Sequence, residues 1–257
     1  MTPPDLQRVV VRMLYDPALV ERIYGGAPVE GLDPAARAHL TRVDRRAWAT
    51  DPYRRARTLQ ALLEEFPASA AEVGVSGLDR FFGERAFHAA IQARGSLAEA
   101  FGAWIAPMAG PVAEIERAVV AVRRAAEKPL PVLEAGTLLC AGTVVPLALP
   151  TGTCARWEGL RAALAPEPVP RLLAGFRAPA RAPAAKRAPV EHLLVERGAD
   201  GEGVGHGSLG LHELLVRARR PVLRRVLHRE ALRHGAKPAE ADEILDGLVS
   251  DGLLIGG

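Results

Sequence analysis

The apolar residues of this chain change their spacing once, at the Lys-Pro-Leu-Pro segment of residues 128–131. Before this segment they recur every three or four residues, which is the period of an amphipathic helix. After it come β-branched and apolar runs at Thr137–Cys140 and Thr143–Leu149, which favour strands. The change predicts a helical domain over residues 1–128 and a second domain over residues 129–257. A chain of 257 residues is long enough for both.

Short helices separated by proline and glycine are predicted for the first domain. Asp33-Pro34 combines an N-cap carboxylate with a proline at the first helical position. Tyr53–Phe66 places four apolar residues on one face. Further helices are predicted at Leu78–Arg94, Ser96–Ile105 and Val112–Glu127.

The second domain contains a strand at Val190–Arg197 and a glycine-dense hairpin at Gly198–Gly207. Three helices are predicted to follow, at Gly210–Ala218, Pro221–His234 and Pro238–Asp251. Strand, hairpin, three helices and a short apolar tail are the order typical of a winged helix. The predicted fold class is therefore α+β and mainly α, with a small antiparallel sheet in the second domain. Its predicted small core is made of Leu211, Leu214, Leu215, Val222, Val226, Ile244, Leu245 and Leu248.

A proline-rich insertion interrupts the second domain at residues 165–189. Six prolines in this stretch argue against a packed element over most of it. We expect a long connection in which Leu172, Leu173 and Phe176 dock on a neighbouring element.

Motifs for catalysis are missing from the sequence. It contains neither a Gly-x-Ser-x-Gly elbow nor a phosphate-binding Walker loop. The only cysteines are Cys140 and Cys154, too few for a disulfide scaffold or a four-thiolate zinc site. The seven histidines show no metal-binding spacing, although a turn can bring His206 and His212 together near Glu213. We therefore expect no catalytic residue and no metal ligand, and an enzyme that uses either cysteine is the weakest alternative.

Nothing in the sequence resembles a targeting or membrane segment. The first ten residues lack the basic start and apolar core of a signal peptide, and no run of about 18 apolar residues occurs. Together with the few cysteines, this predicts a soluble cytoplasmic protein.

Charge is distributed unevenly around a net value of only +3. Only three of the 33 basic residues are lysines, and the arginines concentrate around Trp48 and Tyr53 and again on Pro221–His234. Pro238–Asp251, the helix that would enter a DNA groove, carries five carboxylates and no arginine. This favours a peptide or protein partner over nucleic acid. A winged-helix DNA-binding transcriptional regulator remains the alternative, and the first arginine group is equally compatible with a solvated surface.

Four stretches resemble the HvfC/MbnC-type partner proteins of multinuclear non-haem iron oxidases. One is Arg57–Phe66 (RTLQALLEEF) with the following Pro67 and VGVSGLDRFF, and another is the helix Pro111–Arg124. The third is the strand His192–Arg197 and the fourth is the opening DLQRVVVRMLYDPALVERIYG. Those oxidases modify cysteine-containing precursor peptides of ribosomal natural products (RiPPs).

The resemblance implies that this chain is a non-catalytic subunit of such a complex. It implies that the helical domain docks the iron enzyme and that the second domain is similar to a RiPP recognition element, in which a leader peptide adds as a strand beside a helix. Iron is expected in the partner, with no cofactor in this chain, and neither a membrane nor nucleic acid is expected as a partner. The implied peptide-binding residues are Gly203, Val204, Gly205, His206, Glu240, Glu243, Ile244 and Gly247. The candidate docking residues for the oxidase are Arg45, Arg46, Trp48, Tyr53 and Arg54.

Overall fold

The computed structural model describes residues 3–49, 52–125, 129, 131–180, 189–198 and 201–257. The predicted domain boundary at residue 128 and residues 181–188 of the proline-rich insertion lie outside these ranges. The fold is mainly helical with two small antiparallel sheets of three strands each. None of the helices in the described ranges is both long and apolar enough to cross a bilayer.

Secondary structure in the described residues comprises fourteen α-helices and six strands. The helices are α1 (Pro3–Met13), α2 (Pro17–Tyr24), α3 (Pro34–Leu40), α4 (Arg46–Ala49), α5 (Pro52–Glu65), α6 (Pro67–Val73), α7 (Arg85–Ala93), α8 (Leu97–Ala109), α9 (Pro111–Ala125), α10 (Thr153–Leu164), α11 (Pro168–Leu173), α12 (Leu209–Arg217), α13 (Arg224–Arg233) and α14 (Pro238–Ser250). The strands are β1 (Thr137–Cys140), β2 (Val144–Pro150), β3 (Val190–Gly198), β4 (Gly201–His206), β5 (Val222–Leu223) and β6 (Leu254–Gly256).

The chain divides into two compact units. The first comprises Met1–Met108 and Leu164–Ala178, and the second Ala109–Ala163 and Pro179–Gly257. This division differs from the predicted one in two places. Helix α9 belongs to the second unit because it packs on β2, β3 and β4, and α11 belongs to the first because it packs on α5 and α6.

The first unit is organised by an aromatic cluster. Phe66, Phe81, Phe82, Phe87 and Phe101 are all fully buried, and Phe81 contacts three of these rings and Trp104 at centroid distances of 5.2–6.0 Å. The single helix predicted over Leu78–Arg94 is wrong, because residues 78–83 form a 3₁₀ turn and Glu84 is extended. This break allows the adjacent Phe81 and Phe82 both to face the core.

The predicted N-cap of α3 is confirmed, since Oδ1 of Asp33 accepts a hydrogen bond of 2.8 Å from the Ala36 amide. In the proline-rich insertion, the expected docking of Leu172 is confirmed and that of Leu173 is wrong. Pro168 begins helix α11, as proline at a first helical position can, and Leu172 is fully buried. Leu173 is exposed.

The second unit contains both sheets, in the orders β5-β1-β6 and β2-β3-β4. In β3, Leu193 and Val195 are buried on one face, and His192 and Leu194 lie on the other. His192 contacts a histidine of α12, and Leu194 packs on the core that α12 shares with α13 and α14. Because α12 therefore covers that face, α9 covers the face of Leu193 and Val195.

The core of the second unit joins β1 and β6 to α12, α13 and α14. Of the predicted core residues, Leu214, Leu215, Leu245 and Leu248 are buried, and Leu211 and Val222 pack at its edge. Ile244 is 40 % exposed and is not part of this core. The helix predicted over Pro221–His234 also begins later, because Val222 and Leu223 pair with β1 as strand β5.

Candidate functional site

Strand β4 forms an edge of the β2-β3-β4 sheet and contains four of the predicted peptide-binding residues. The amide of Gly207 donates to the His192 carbonyl at 2.8 Å, so these two residues form a hydrogen-bonded antiparallel pair. From this pair onwards, hydrogen-bonded and non-hydrogen-bonded pairs of residues alternate along β3 and β4. Gly203 and Gly205 therefore bond to β3, and the backbone groups of Glu202, Val204 and His206 point away from the sheet.

The side chains of β4 follow the same alternation. Val204 lies opposite Val195 and Glu202 opposite Arg197, so both share the face that α9 covers. Glu202 accepts a hydrogen bond of 3.0 Å from Nε of Arg123 in α9, and this bond holds the pKa of the Glu202 carboxyl below its usual value. On the opposite face Gly203 and Gly205 add no side chain. A Cβ at either position would meet no atom within 4 Å, so this side of the edge is open.

A groove between α12 and α14 begins two residues after β4. Its lining combines the first turn of α12, the end of α13 and one face of α14: Ser208, Leu209, Gly210, Leu211, Leu214, Ala231, His234, Gly235, Ala236, Glu240 and Ile244. Leu209 and Ile244 are 49 % and 40 % exposed. The groove therefore offers apolar contact to a partner.

The structure brings together only part of the predicted peptide-binding set. Glu240 and Ile244 line the α12–α14 groove, whereas Glu243, Gly247 and the β4 residues do not. Glu240 also has a structural role, because it accepts a hydrogen bond of 2.9 Å from the Lys237 amide and closes the first turn of α14. The first turn of α12 follows β4 in the chain and supplies the groove wall that sequence reasoning assigned to β4.

A second groove lies along α12 and was missed by sequence reasoning. It has a volume of about 690 Å³ and is lined by His192, Leu209, His212, Glu213, Val216, Arg217, Arg219, Arg220, Glu230 and Arg233. The spacing of residues 209, 212, 213 and 216 is that of one face of α12, and it is the one sequence signal that indicates this groove. The rings of His192 and His212 lie 4.9 Å apart. Burial, then His192 and Arg219, lower the pKa of His212.

The acidity of α14 is partly compensated by α13. Nη1 of Arg224 donates to Oδ1 of Asp246 at 2.8 Å, and Nη2 lies 3.4 Å from Oδ1 of Asp242. These carboxylates raise the pKa of Arg224, and Asp246 has the largest effect. Both nevertheless remain exposed, with 57 % of the Asp242 side chain and 69 % of the Asp246 side chain accessible.

The predicted docking residues of the first unit differ in their contacts. Nε1 of Trp48 donates to the Tyr24 hydroxyl at 2.7 Å, and Arg45 forms an ion pair with Glu21. Both contacts tie the region around α4 to α2. Arg46 and Arg54 are exposed, and Tyr53 is 70 % exposed at the start of α5. Tyr53 is thus the largest accessible side chain of the set.

Both cysteines are buried and free. Burial raises the pKa of Cys140 to about 11, and burial together with Glu158 and Glu191 raises the pKa of Cys154. Arg219 lowers the pKa of Cys140 but does not offset its burial, and the charged neighbours of Cys154 are both carboxylates, so neither site favours a reactive thiolate at neutral pH.

No protein-family model, curated protein or solved structure matches this chain.

Proposed function

We propose that this chain is a cytoplasmic, non-catalytic partner subunit in RiPP biosynthesis. It binds a multinuclear non-haem iron oxidase and presents to it a ribosomally made precursor peptide, which is modified at cysteine. The observation that carries the peptide-binding role is the open edge of β4 beside the apolar α12–α14 groove. In this proposal β2-β3-β4 and the three helices after it act as a winged-helix peptide-recognition element.

Backbone geometry supports addition of a peptide to β4. Glu202, Val204 and His206 direct their amides and carbonyls outward, so a leader segment of about five residues can extend the sheet by one strand. Gly203 and Gly205 leave room beside that strand on one face. Main-chain bonds supply affinity here, and side-chain pockets supply selectivity.

The α12–α14 groove supports a second contact with the same peptide. Ser208 and Leu209 follow β4 closely, so a peptide that leaves the strand edge reaches this groove after a few residues. Exposed Leu209 and Ile244 favour an apolar side chain there. The recognised leader is thus expected to combine an extended segment with an apolar anchor.

Two substitutions test this mode in the full chain, co-expressed with an iron oxidase and a cysteine-containing precursor of the class proposed here. Val204→Pro removes an amide that points away from β3, so it weakens peptide capture while leaving the hairpin paired. Val204→Thr keeps that amide and is the matched control. Ile244→Asp places a charge in the groove, and Val132→Asp is its control because Val132 is fully exposed elsewhere.

We expect Val204→Pro and Ile244→Asp each to weaken precursor binding about tenfold, which corresponds to the loss of one or two net contacts. Anisotropy of the labelled precursor measures this. Equal binding by both variants and their controls would place the peptide elsewhere. Unchanged modification when this chain is omitted would reject the partner role itself.

Oxidase docking is assigned to the first unit, where Tyr53 is exposed. Tyr53→Ala is expected to reduce the amount of oxidase retained in a pull-down. Leu173→Ala, which also truncates an exposed apolar residue of this unit, is expected to have no effect. Equal retention by both variants would assign the docking surface to other residues.

A DNA-binding regulator is the alternative from the same winged-helix arrangement. Exposed arginines such as Arg225 and Arg229 on α13 favour it. The helix that would read the major groove is α14, and Asp242 and Asp246 on it stay accessible despite their pairing with Arg224. Phosphates would be repelled there, so peptide binding is the better-supported function.

A further inference from the structure

Three side chains of α12 and α13 direct potential metal ligands at one point. Nε2 of His234 lies 3.0 Å from Oε2 of Glu213 and 3.8 Å from Oε1 of Glu230, and one ligand atom from each of the three residues lies within 4.8 Å of the others. Two ligand atoms that each lie about 2.1 Å from a tetrahedral zinc ion are separated by about 3.4 Å. These two N···O distances bracket this value, so small side-chain shifts suffice to admit an ion.

The positions of these three side chains follow from the spacing of residues on α13 and from the packing of α12 against it. Glu230 and His234 are four residues apart on α13 and therefore share a face, while Glu213 comes from α12, which packs on α13. A Cβ at Gly210 would lie 3.2 Å from Cβ and 3.3 Å from Cγ of His234. The glycine thus lets the imidazole rest against the first turn of α12.

The hydrogen bond from Arg233 uses only one of the two carboxylate oxygens of Glu230. Oε2 of Glu230 accepts a hydrogen bond of 3.0 Å from Arg233, which orients the carboxylate and leaves Oε1 towards His234. The Glu230 and His234 side chains are 14 % and 24 % exposed, whereas Glu213 is 47 % exposed. Two ligands are therefore partly buried and the third faces solvent, which leaves room for an exchangeable fourth ligand.

The cavity beside the three residues contains unused imidazole nitrogens. Glu213 and Glu230 line the 690 Å³ groove together with His192 and His212. Nδ1 of His192 and Nδ1 of His212 are both buried and have no hydrogen-bond partner. These two nitrogens lie outside the three-residue cluster, but they are available to a water or an anionic group in the same groove.

We propose that Glu213, Glu230 and His234 form a binding site for a divalent ion of the zinc class. The site takes one imidazole and two carboxylates from the protein and a water or an anionic group as the fourth ligand. Arg217, Arg219, Arg220 and Arg233 line the same groove and favour an anionic fourth ligand. The proposal departs from our sequence-based expectation that this chain has no metal ligand, and it does not depend on the peptide-binding role.

Titration of the full, untagged chain with Zn²⁺ tests the proposal after treatment with a chelator and desalting. Calorimetry is expected to show one saturable equivalent, and Co²⁺ is expected to give the visible absorption of a tetrahedral complex. His234→Ala and Glu213→Gln are each expected to weaken binding more than about tenfold, since removal of even an indirect partner of a ligand commonly costs that much. Because Glu213 is half exposed, Glu213→Gln keeps the test valid if His234→Ala fails to fold.

His228→Ala is the matched control. His228 lies on the same helix, and its Nε2 is 3.7 Å from a carboxylate oxygen of Asp242, but it lies outside the three-residue cluster. Its variant is expected to bind Zn²⁺ like the parent chain. The proposal is overturned if the parent shows no saturable binding, or if Glu213→Gln and His234→Ala both retain it. Loss of binding in His192→Ala or Cys140→Ser with no loss in Glu213→Gln would also overturn it.

Discussion

Cys140 lies in the core of the second unit, where burial raises the pKa of its thiol to about 11 from the ordinary value of 9.0. A shift of two units lowers the thiolate fraction at pH 8 about 100-fold. Cys154 is buried beside Glu158 and Glu191, which also raise its pKa. Both residues are therefore suited to packing and poorly suited to nucleophilic catalysis.

Thiol titration with a disulfide reagent at pH 8 tests this conclusion. In the native chain we expect Cys140 to react at least about 100-fold more slowly than in guanidinium, where both thiols react freely, because only the thiolate attacks. Cys154→Ser isolates Cys140, and Cys140→Ser isolates Cys154. If either thiol reacts as fast in the native chain as in the unfolded chain, the hypothesis of an enzyme that uses a cysteine would regain support.

The residues of the candidate sites differ in whether they were recognised from the sequence. Glu240 and Ile244 were named as peptide-binding residues through the family resemblance, together with Glu243 and Gly247, and only Glu240 and Ile244 line the α12–α14 groove. The contacts of His234 with Glu213 and of His212 with His192 were missed. Each joins residues about 20 positions apart in sequence, and the packing that brings them together is not encoded in any local pattern. The exposure of Ile244 was missed for the same reason.

Among the elements, β4 has the least usual composition, with glycine at every second position from 201 to 205. Its glycines are not equivalent. Gly201 has a φ of +110°, which side chains rarely adopt, whereas Gly203 and Gly205 have ordinary strand backbones with free space at the Cβ position. Gly201 is thus required by the hairpin, and the other two are not required by the fold.

Alanine substitutions separate these roles. Gly203→Ala and Gly205→Ala are expected to leave the free energy of unfolding unchanged or to raise it by about 0.5 kcal/mol, since they restrict the unfolded chain without creating a clash. Gly201→Ala is expected to lower it by about 1 kcal/mol or more, because of its positive φ. Urea titration followed by circular dichroism measures all three. A stability loss at position 203 or 205 equal to that at 201 would contradict the assigned backbone roles.

Element prediction failed where proline or aromatic residues have tertiary roles. The proline content of residues 165–189 argued against a packed element over most of the stretch, and Leu172 is buried as expected, but the helix α11 that Pro168 starts was not predicted and Leu173 is exposed. Residues 78–94 have the composition of one helix, but two adjacent phenylalanines require burial and the helix breaks at Glu84. Strands β1 and β3 were predicted within one residue, because alternation and β-branching are local signals.

For the whole molecule, the small net charge of +3 results from basic and acidic surfaces whose charges nearly cancel. The second unit has an arginine-lined groove along α12 and accessible carboxylates on α14. A DNA-binding surface needs a continuous basic face that neutralises several phosphates. Because carboxylates interrupt the basic surface where a reading helix would lie, we expect no specific duplex binding.

A titration of labelled duplex DNA at several salt concentrations tests this expectation. A regulator that contacts about six phosphates would give a slope of about −5 for the logarithm of the binding constant against the logarithm of salt concentration. We expect binding too weak to saturate at low salt, with no difference between the parent chain and the double variant Arg225→Ala, Arg229→Ala. Both arginines are exposed on α13, so their removal would flatten a genuine slope. A steep slope in the parent that flattens in the double variant would establish DNA binding, and Val204→Pro should then leave that binding unchanged, since β4 would have no part in it.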